Sequence, residues 1–120
     1  MEWLAKLLIA VVAILHVYFL VLEMFLWTKL KGLQVFRQTL EQAKASAVLA
    51  SNQGLYNGFL AAGLVWGLVN PHAEFSRQIL FFFLGCVIVA GVYGAATANR
   101  RIFFIQALPA LFAAGSLAIV

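Results

Sequence analysis

Charged residues are what this chain has least of. They make up 10% of its 120 residues, against 65% hydrophobic, whereas a soluble domain carries about 25%. Mean hydropathy is +1.01. A chain with so little polar surface has to present apolar side chains to lipid as well as to one another. That excludes a soluble fold and predicts a single integral membrane domain over residues 1–120. Cysteine is nearly absent: the single Cys86 lies in an apolar run, so no internal disulfide can form, and its default role is a small buried hydrophobe. No G-x-x-x-x-G-K-[ST], G-x-G-x-x-G, C-x-x-C or G-x-S-x-G string occurs, which removes support for nucleotide-driven and thiol-redox chemistry. The formal charge is +4. Its basic residues fall in short clusters between apolar runs, where lipid headgroups and orientation signals account for them, so the bilayer and not nucleic acid is the expected partner.

What is present is long apolar sequence. Residues 3–27, 47–69, 79–98 and 102–120 each read as a helix long enough, or nearly so, to cross ~30 Å of hydrocarbon. The predicted fold class is an all-α membrane protein, a four-transmembrane-helix bundle. The first stretch is too long for the h-region of a signal peptide and lacks a small-x-small cleavage site, so it is read as a mature helix. Between the first two spans, Lys29, Lys31, Arg37 and Lys44 face Glu41, and Leu30, Leu33, Val35, Phe36 and Leu40 suggest a partly amphipathic surface segment. The connection "NPHAEFSRQ" balances Glu74 against Arg77, and "NRR" at Asn99–Arg101 is basic and short, which makes the last two helices antiparallel neighbours. Basic excess in the first and third connections predicts that these are cytoplasmic and both termini outside, with Lys6 arguing mildly the other way.

Within "LHVYFLVLEMFLW", His16 and Glu23 are seven positions apart, only about 20° short of two full helical turns, so they share one face. The surrounding Leu, Ile, Val and Phe residues, at ~0.3–0.6 kcal/mol each, outweigh two groups costing about 3 kcal/mol apiece, but a lipid-facing position would waste that gain. The pair is expected to face the bundle. In the second span, "SNQGLYNG" places Asn52, Gln53, Tyr56 and Asn57 within two turns, beside Gly54 and Gly58. That G-x-x-x-G spacing recurs at Gly63 and Gly67 and permits close approach of another helix, which leaves a homo-oligomer open. At ~1.5 Å per residue from the cytoplasmic ends, Glu23, Asn52, Gln53, Tyr93 and Gln106 lie ~6–9 Å deep, and His16, Tyr56 and Asn57 ~14–16 Å deep. These depths predict a polar chamber with Glu23 at its mouth and His16 at its floor. Helix glue is the plainer role for Asn52, Gln53, Tyr56, Asn57, Tyr93 and Gln106. For Glu23 it is snorkelling to the interface. His72 is expected to be exposed, and a metal site from His16 and Glu23 alone would be short of ligands.

"LHVYFLVLEMFLW" followed by "ASNQGLYNGFLAAGLVWG" resembles the small bacterial membrane proteins grouped as domain of unknown function thirteen-zero-four. The resemblance covers nearly the whole chain, with no departure at His16, Glu23, Asn52, Gln53, Tyr56 or Asn57. It implies a bacterial inner-membrane protein and supplies no activity. A looser likeness, of architecture alone, is to the small multidrug transporters, whose essential glutamate also lies in the first helix; here Glu23 is nearer the cytoplasmic end. The first functional reading is binding or transport of a small polar or cationic solute, proton coupling included, with no cofactor and no metal. Enzymatic character stays open. The alternatives are a membrane enzyme or redox accessory using His16 on a lipid-soluble substrate such as a quinone, and a purely structural membrane subunit.

Overall fold

A computed structural model describes residues 2–120, and among these residues every regular element is helical. Helix α1, Trp3–Met24, is about 33 Å long and apolar apart from Lys6, His16 and Glu23. A turn leads into the short α2, Leu30–Phe36, which lies in the amphipathic connection expected from sequence. It closes at Arg37, whose left-handed backbone (φ 52) directs its N–H back to the Leu33 carbonyl. Gln38 N–H caps the same carbonyl, a helix-ending geometry that glycine usually supplies.

The next helix starts earlier than its apolar run. Helix α3, Leu40–Val69, begins seven residues before the expected 47 because Thr39 and Gln42 cap it reciprocally. Gln42 N–H donates to Thr39 Oγ1 at 3.2 Å, and Thr39 N–H donates to Gln42 Oε1 at 2.9 Å. This capping box satisfies two otherwise orphaned donors. Helix α4, Ala73–Thr97, likewise begins before the expected 79. Asn70 Oδ1 accepts His72 N–H at 3.0 Å, so the Asn-Pro turn needs only three residues.

After Thr97 a second Asx turn, Arg101 N–H to Asn99 Oδ1 at 2.9 Å, restarts the chain. The stretch expected as one regular helix over 102–120 is instead a π-helical turn, Phe103–Ala107, followed by α5, Leu108–Ala118. Pro109 in the first turn of α5 has no N–H to return to Ile105, and the Leu108 N–H reaches one residue further back, to Phe103.

Packing separates into two compact units. One comprises the residues up to Ile14 with Leu60–Val120, the other Leu15–Phe59. The first is built on Ala5, Ile9, Val12 and Ala13 against Leu64, Leu80, Leu84 and Val87, closed by Ala110, Ala113 and Leu117. Ala107 sits so close to α4 that a Cβ on Gly91 would lie 2.8 Å from its backbone nitrogen. Small residues thus let the backbones touch. Ser76 Oγ donates to the Gly67 carbonyl at 2.6 Å, and Arg77 Nη1 donates to Leu117 O at 2.9 Å, tying helix ends with side chains expected in an open loop.

Two helices, α1 and α4, are long and apolar enough to cross a membrane, and Phe103–Ala118 is an apolar helical stretch of shorter length. Helix α3 has the length, about 45 Å, but Ser51, Asn52, Gln53 and Asn57 dilute its middle.

Candidate functional site

The unit Leu15–Phe59 holds six of the eight candidate residues. His16 is fully buried. It sits on the stripe that Ala5, Ile9 and Val12 begin, at the i, i+4, i+7, i+11 positions of one helical face. Its ring meets Phe19 edge to face at 5.3 Å. Two turns further on, Glu23 is half-buried, and one of its oxygens accepts a hydrogen bond from Asn57 Nδ2. Asn57 is itself buried. The acid in α1 and an amide in α3 are therefore direct partners.

Glycine makes that contact possible. A Cβ on Gly54 would come within 2.7 Å of Met24 Cγ, 3.1 Å of Glu23 Cβ and 3.2 Å of the Leu20 carbonyl oxygen. One on Gly58 would meet Leu20 Cδ1 at 2.7 Å. The buried residues of α3 in this unit are Ala43, Ala50, Gly54 and Asn57, the last three at i, i+4, i+7. The second glycine pair does other work: in the other unit Gly63 abuts Phe83, and Gly67 abuts Leu80 and Ile79.

The other α3 candidates face outward. Asn52, Gln53 and Tyr56 are exposed. Tyr56 stacks edge to face on Phe59 at 5.6 Å. Asn52 also borders a shallow groove of about 330 Å³ with Met24, Val48, Ser51 and Leu55. Tyr93 and Gln106 belong to the first unit. Tyr93 is exposed near the end of α4, and Gln106 Nε2, in the π turn, lies 3.5 Å from the Val87 carbonyl oxygen. Among the described residues no three His, Cys, Asp or Glu side chains gather to hold a metal ion.

One polar cluster escaped the sequence reading. Trp27 Nε1 donates to Ser46 Oγ at 3.2 Å, Ser46 Oγ donates to the Gln42 carbonyl at 2.9 Å, and the Trp27 ring packs on Phe36 at 4.7 Å. Its legible signal was "TLEQ", the Thr39-x-x-Gln42 capping pattern, which moves the helix start back and brings Ser46 into the helix.

Chemically, a carboxylate offers two oxygens and about four acceptor positions. One Asn57 amide fills only part of that capacity, so the carboxyl group keeps acceptor positions beyond this bond. The amide orients the carboxyl group by its own hydrogen bond and adds no charge of its own.

The chain is 31% identical over 97 residues to "Uncharacterized protein YpaA" of Lactococcus lactis subsp. lactis (strain IL1403), an alignment covering 79% of this chain and 80% of that protein. No solved structure matches. The family model described as "Protein of unknown function (DUF1304)" matches residues 10–118. With His16, Glu23 and Asn57 all inside the matched stretch, the chain belongs to the DUF1304 family.

Proposed function

We propose that the chain crosses the bacterial cytoplasmic membrane four times, as a four-helix bundle with both termini outside, and binds a small polar or cationic solute at Glu23 and Asn57. Supporting the membrane reading, large apolar side chains face outward on every long helix. Ile14 is 67% exposed, Val48 84%, Phe82 65% and Phe112 61%. In water a surface of this kind drives aggregation, whereas in hydrocarbon it is the natural exterior. The basic residues of the connection between α1 and α3, and those at Arg100 and Arg101, favour the cytoplasmic side for both.

The observation that carries the solute site is the hydrogen bond from Asn57 to a half-buried glutamate. An ionisable group inside a membrane segment is costly whatever its role, and such groups are concentrated along substrate, ion and proton pathways. Glu23→Gln is the informative substitution. It keeps an oxygen that accepts from Asn57 and removes the charge, so the fold persists and the site loses its attraction for cations. Titration calorimetry of the detergent-solubilised protein against a panel of small ammonium and guanidinium compounds is expected to show binding to the parent chain. Glu23→Gln should weaken it at least about tenfold, the factor that corresponds to ~1.4 kcal/mol. Unchanged binding would reduce Glu23 and Asn57 to a contact that only joins two helices.

A further inference from the structure

The short helix α2 is held firmly against the end of α1. A Cβ on Gly32 would overlap the Leu26 carbonyl oxygen and come 2.9 Å from that of Trp27, so the backbone of α2 lies directly on the turn that follows α1. Phe36, with its ring on Trp27, completes this inner side. At 100° per residue Gly32 and Phe36 lie close together on α2, and Leu30, Lys31, Gln34 and Val35 span the outer arc. All four outer residues are exposed.

Cations flank and occupy that arc. Lys29 precedes the helix, Lys31 is on it and Arg37 ends it, all exposed. Among the described residues none of the three is in an ion pair. Arg37 also carries a backbone cost. Its φ of 52 is left-handed, a conformation in which a Cβ crowds the following carbonyl oxygen and for which glycine is the usual choice. No side-chain hydrogen bond within the described residues accounts for an arginine at that position. A strained residue whose side chain does nothing inside the fold points to a use outside it.

We propose that Lys29, Lys31 and Arg37 form a headgroup site for an anionic phospholipid, with α2 lying in the membrane interface. The inference rests on the reading that α1 crosses the bilayer. That crossing fixes the location, because α1 ends at Met24 and α2 packs on the turn that follows, which sets its cations at headgroup level. Charge complementarity fixes the class: unpaired cations at a bilayer surface favour headgroups of net negative charge over zwitterionic ones. The guanidinium of Arg37 adds a planar fork of donors that matches a phosphate. Leu30 and Val35, 71% and 38% exposed on either side of Lys31 along the chain, argue for lipid over a soluble polyanion. Aliphatic side chains interleaved with lysine suit the boundary between headgroups and acyl chains, whereas a nucleic acid backbone calls on the charge alone.

Native mass spectrometry of the detergent-solubilised chain, titrated with dioctanoylphosphatidylglycerol or dioctanoylphosphatidylcholine, tests this. The parent chain is expected to hold the anionic lipid roughly tenfold more tightly or better, the scale of two or three cations at a membrane surface. Arg37→Gly is the discriminating variant, because glycine relaxes the backbone. Its thermal midpoint should hold or rise while its affinity for dioctanoylphosphatidylglycerol falls roughly fivefold. Arg37→Lys should recover most of that affinity. Lys31→Ala, at an exposed outer position, should show the same fall without touching the helix end. Lys6→Ala removes an equal charge from an exposed site in the first turn of α1 and should leave the affinity unchanged. Equal affinity for the two lipids, no loss in Arg37→Gly and Lys31→Ala, an equal loss in Lys6→Ala, or displacement of the lipid by equimolar inorganic phosphate would overturn the proposal. Washing native membranes with alkaline carbonate separates the two claims: a chain that washes off defeats the membrane reading, and one that stays without preferring the anionic lipid defeats the headgroup site alone.

Discussion

In the unit built on α4 and α5, polar side chains work at helix ends. Ser76 and Arg77 satisfy carbonyls at the ends of α3 and α5, and Leu80, Leu84, Val87 and the alanines of α5 fill the interior. In the unit Leu15–Phe59 the apolar interior is thin, with Leu22, Ala43 and Ala50 the buried hydrophobic residues there. Its polar groups lie between helices: Asn57 on Glu23, and Trp27 on Ser46. One unit resembles a close-packed scaffold. The other places an acid, an imidazole and an amide where the first has packed apolar side chains.

The contrast is broken most directly at Gly91. A Cβ there would sit 2.8 Å from both the nitrogen and the Cβ of the fully buried Ala107, and backbone cannot move aside as a flexible side chain can. Gly91→Val is expected to destabilise the first unit by about 3 kcal/mol or more, read as loss of the monodisperse peak in detergent. Gly85→Val, with no atom within 4 Å of the added Cβ, should stay within ~0.5 kcal/mol of the parent. Equal tolerance at both sites would remove the claim that this unit is a close-packed scaffold.

A smaller effect is expected at Asn57. Asn57→Leu leaves the half-buried Glu23 carboxyl without its donor and should cost about 1–3 kcal/mol in stability to denaturant. Glu23→Gln, which keeps an acceptor for that donor, should cost less than ~1 kcal/mol. The double variant should recover part of the Asn57→Leu loss, because the orphaned charge is gone. If the two substitutions simply add, the hydrogen bond is not what couples α1 to α3.

These residues also mark where sequence reasoning stopped. The helical character of the chain, the shared face of His16 and Glu23, and the close approach at Gly54 and Gly58 were all legible, because spacing along a helix dictates them. Azimuth on α3 separates residues that depth along the helix places together. Depth alone grouped Asn52, Gln53, Tyr56 and Asn57. Yet at 100° per residue Asn52 points about 140° away from Asn57, and only Asn57 faces α1. The arc of Ala50, Gly54 and Asn57 was available from the glycine position. The π turn before Pro109 was not, since proline predicts a disturbed helix without saying how the backbone absorbs it.

The smallest expected effect is the sharpest test of the division of labour inside Leu15–Phe59. Thr39→Ala removes the oxygen that accepts Gln42 N–H, and lost caps typically cost about 1 kcal/mol. The site is exposed, so water takes over part of the bond, and the loss should appear locally, as roughly fivefold faster amide exchange over the first turn of α3. Asn57 lies about 25 Å further along the helix. Solute binding at Glu23 should therefore be unchanged, because fraying of a helix end does not travel through several intact turns. Were Thr39→Ala to weaken binding as much as Glu23→Gln does, the cap, the Trp27–Ser46 pair and the Glu23–Asn57 pair would be acting as one connected network. The polar groups of this unit would then be inseparable from its stability, and the distinction between a scaffold unit and a binding unit would have to be redrawn.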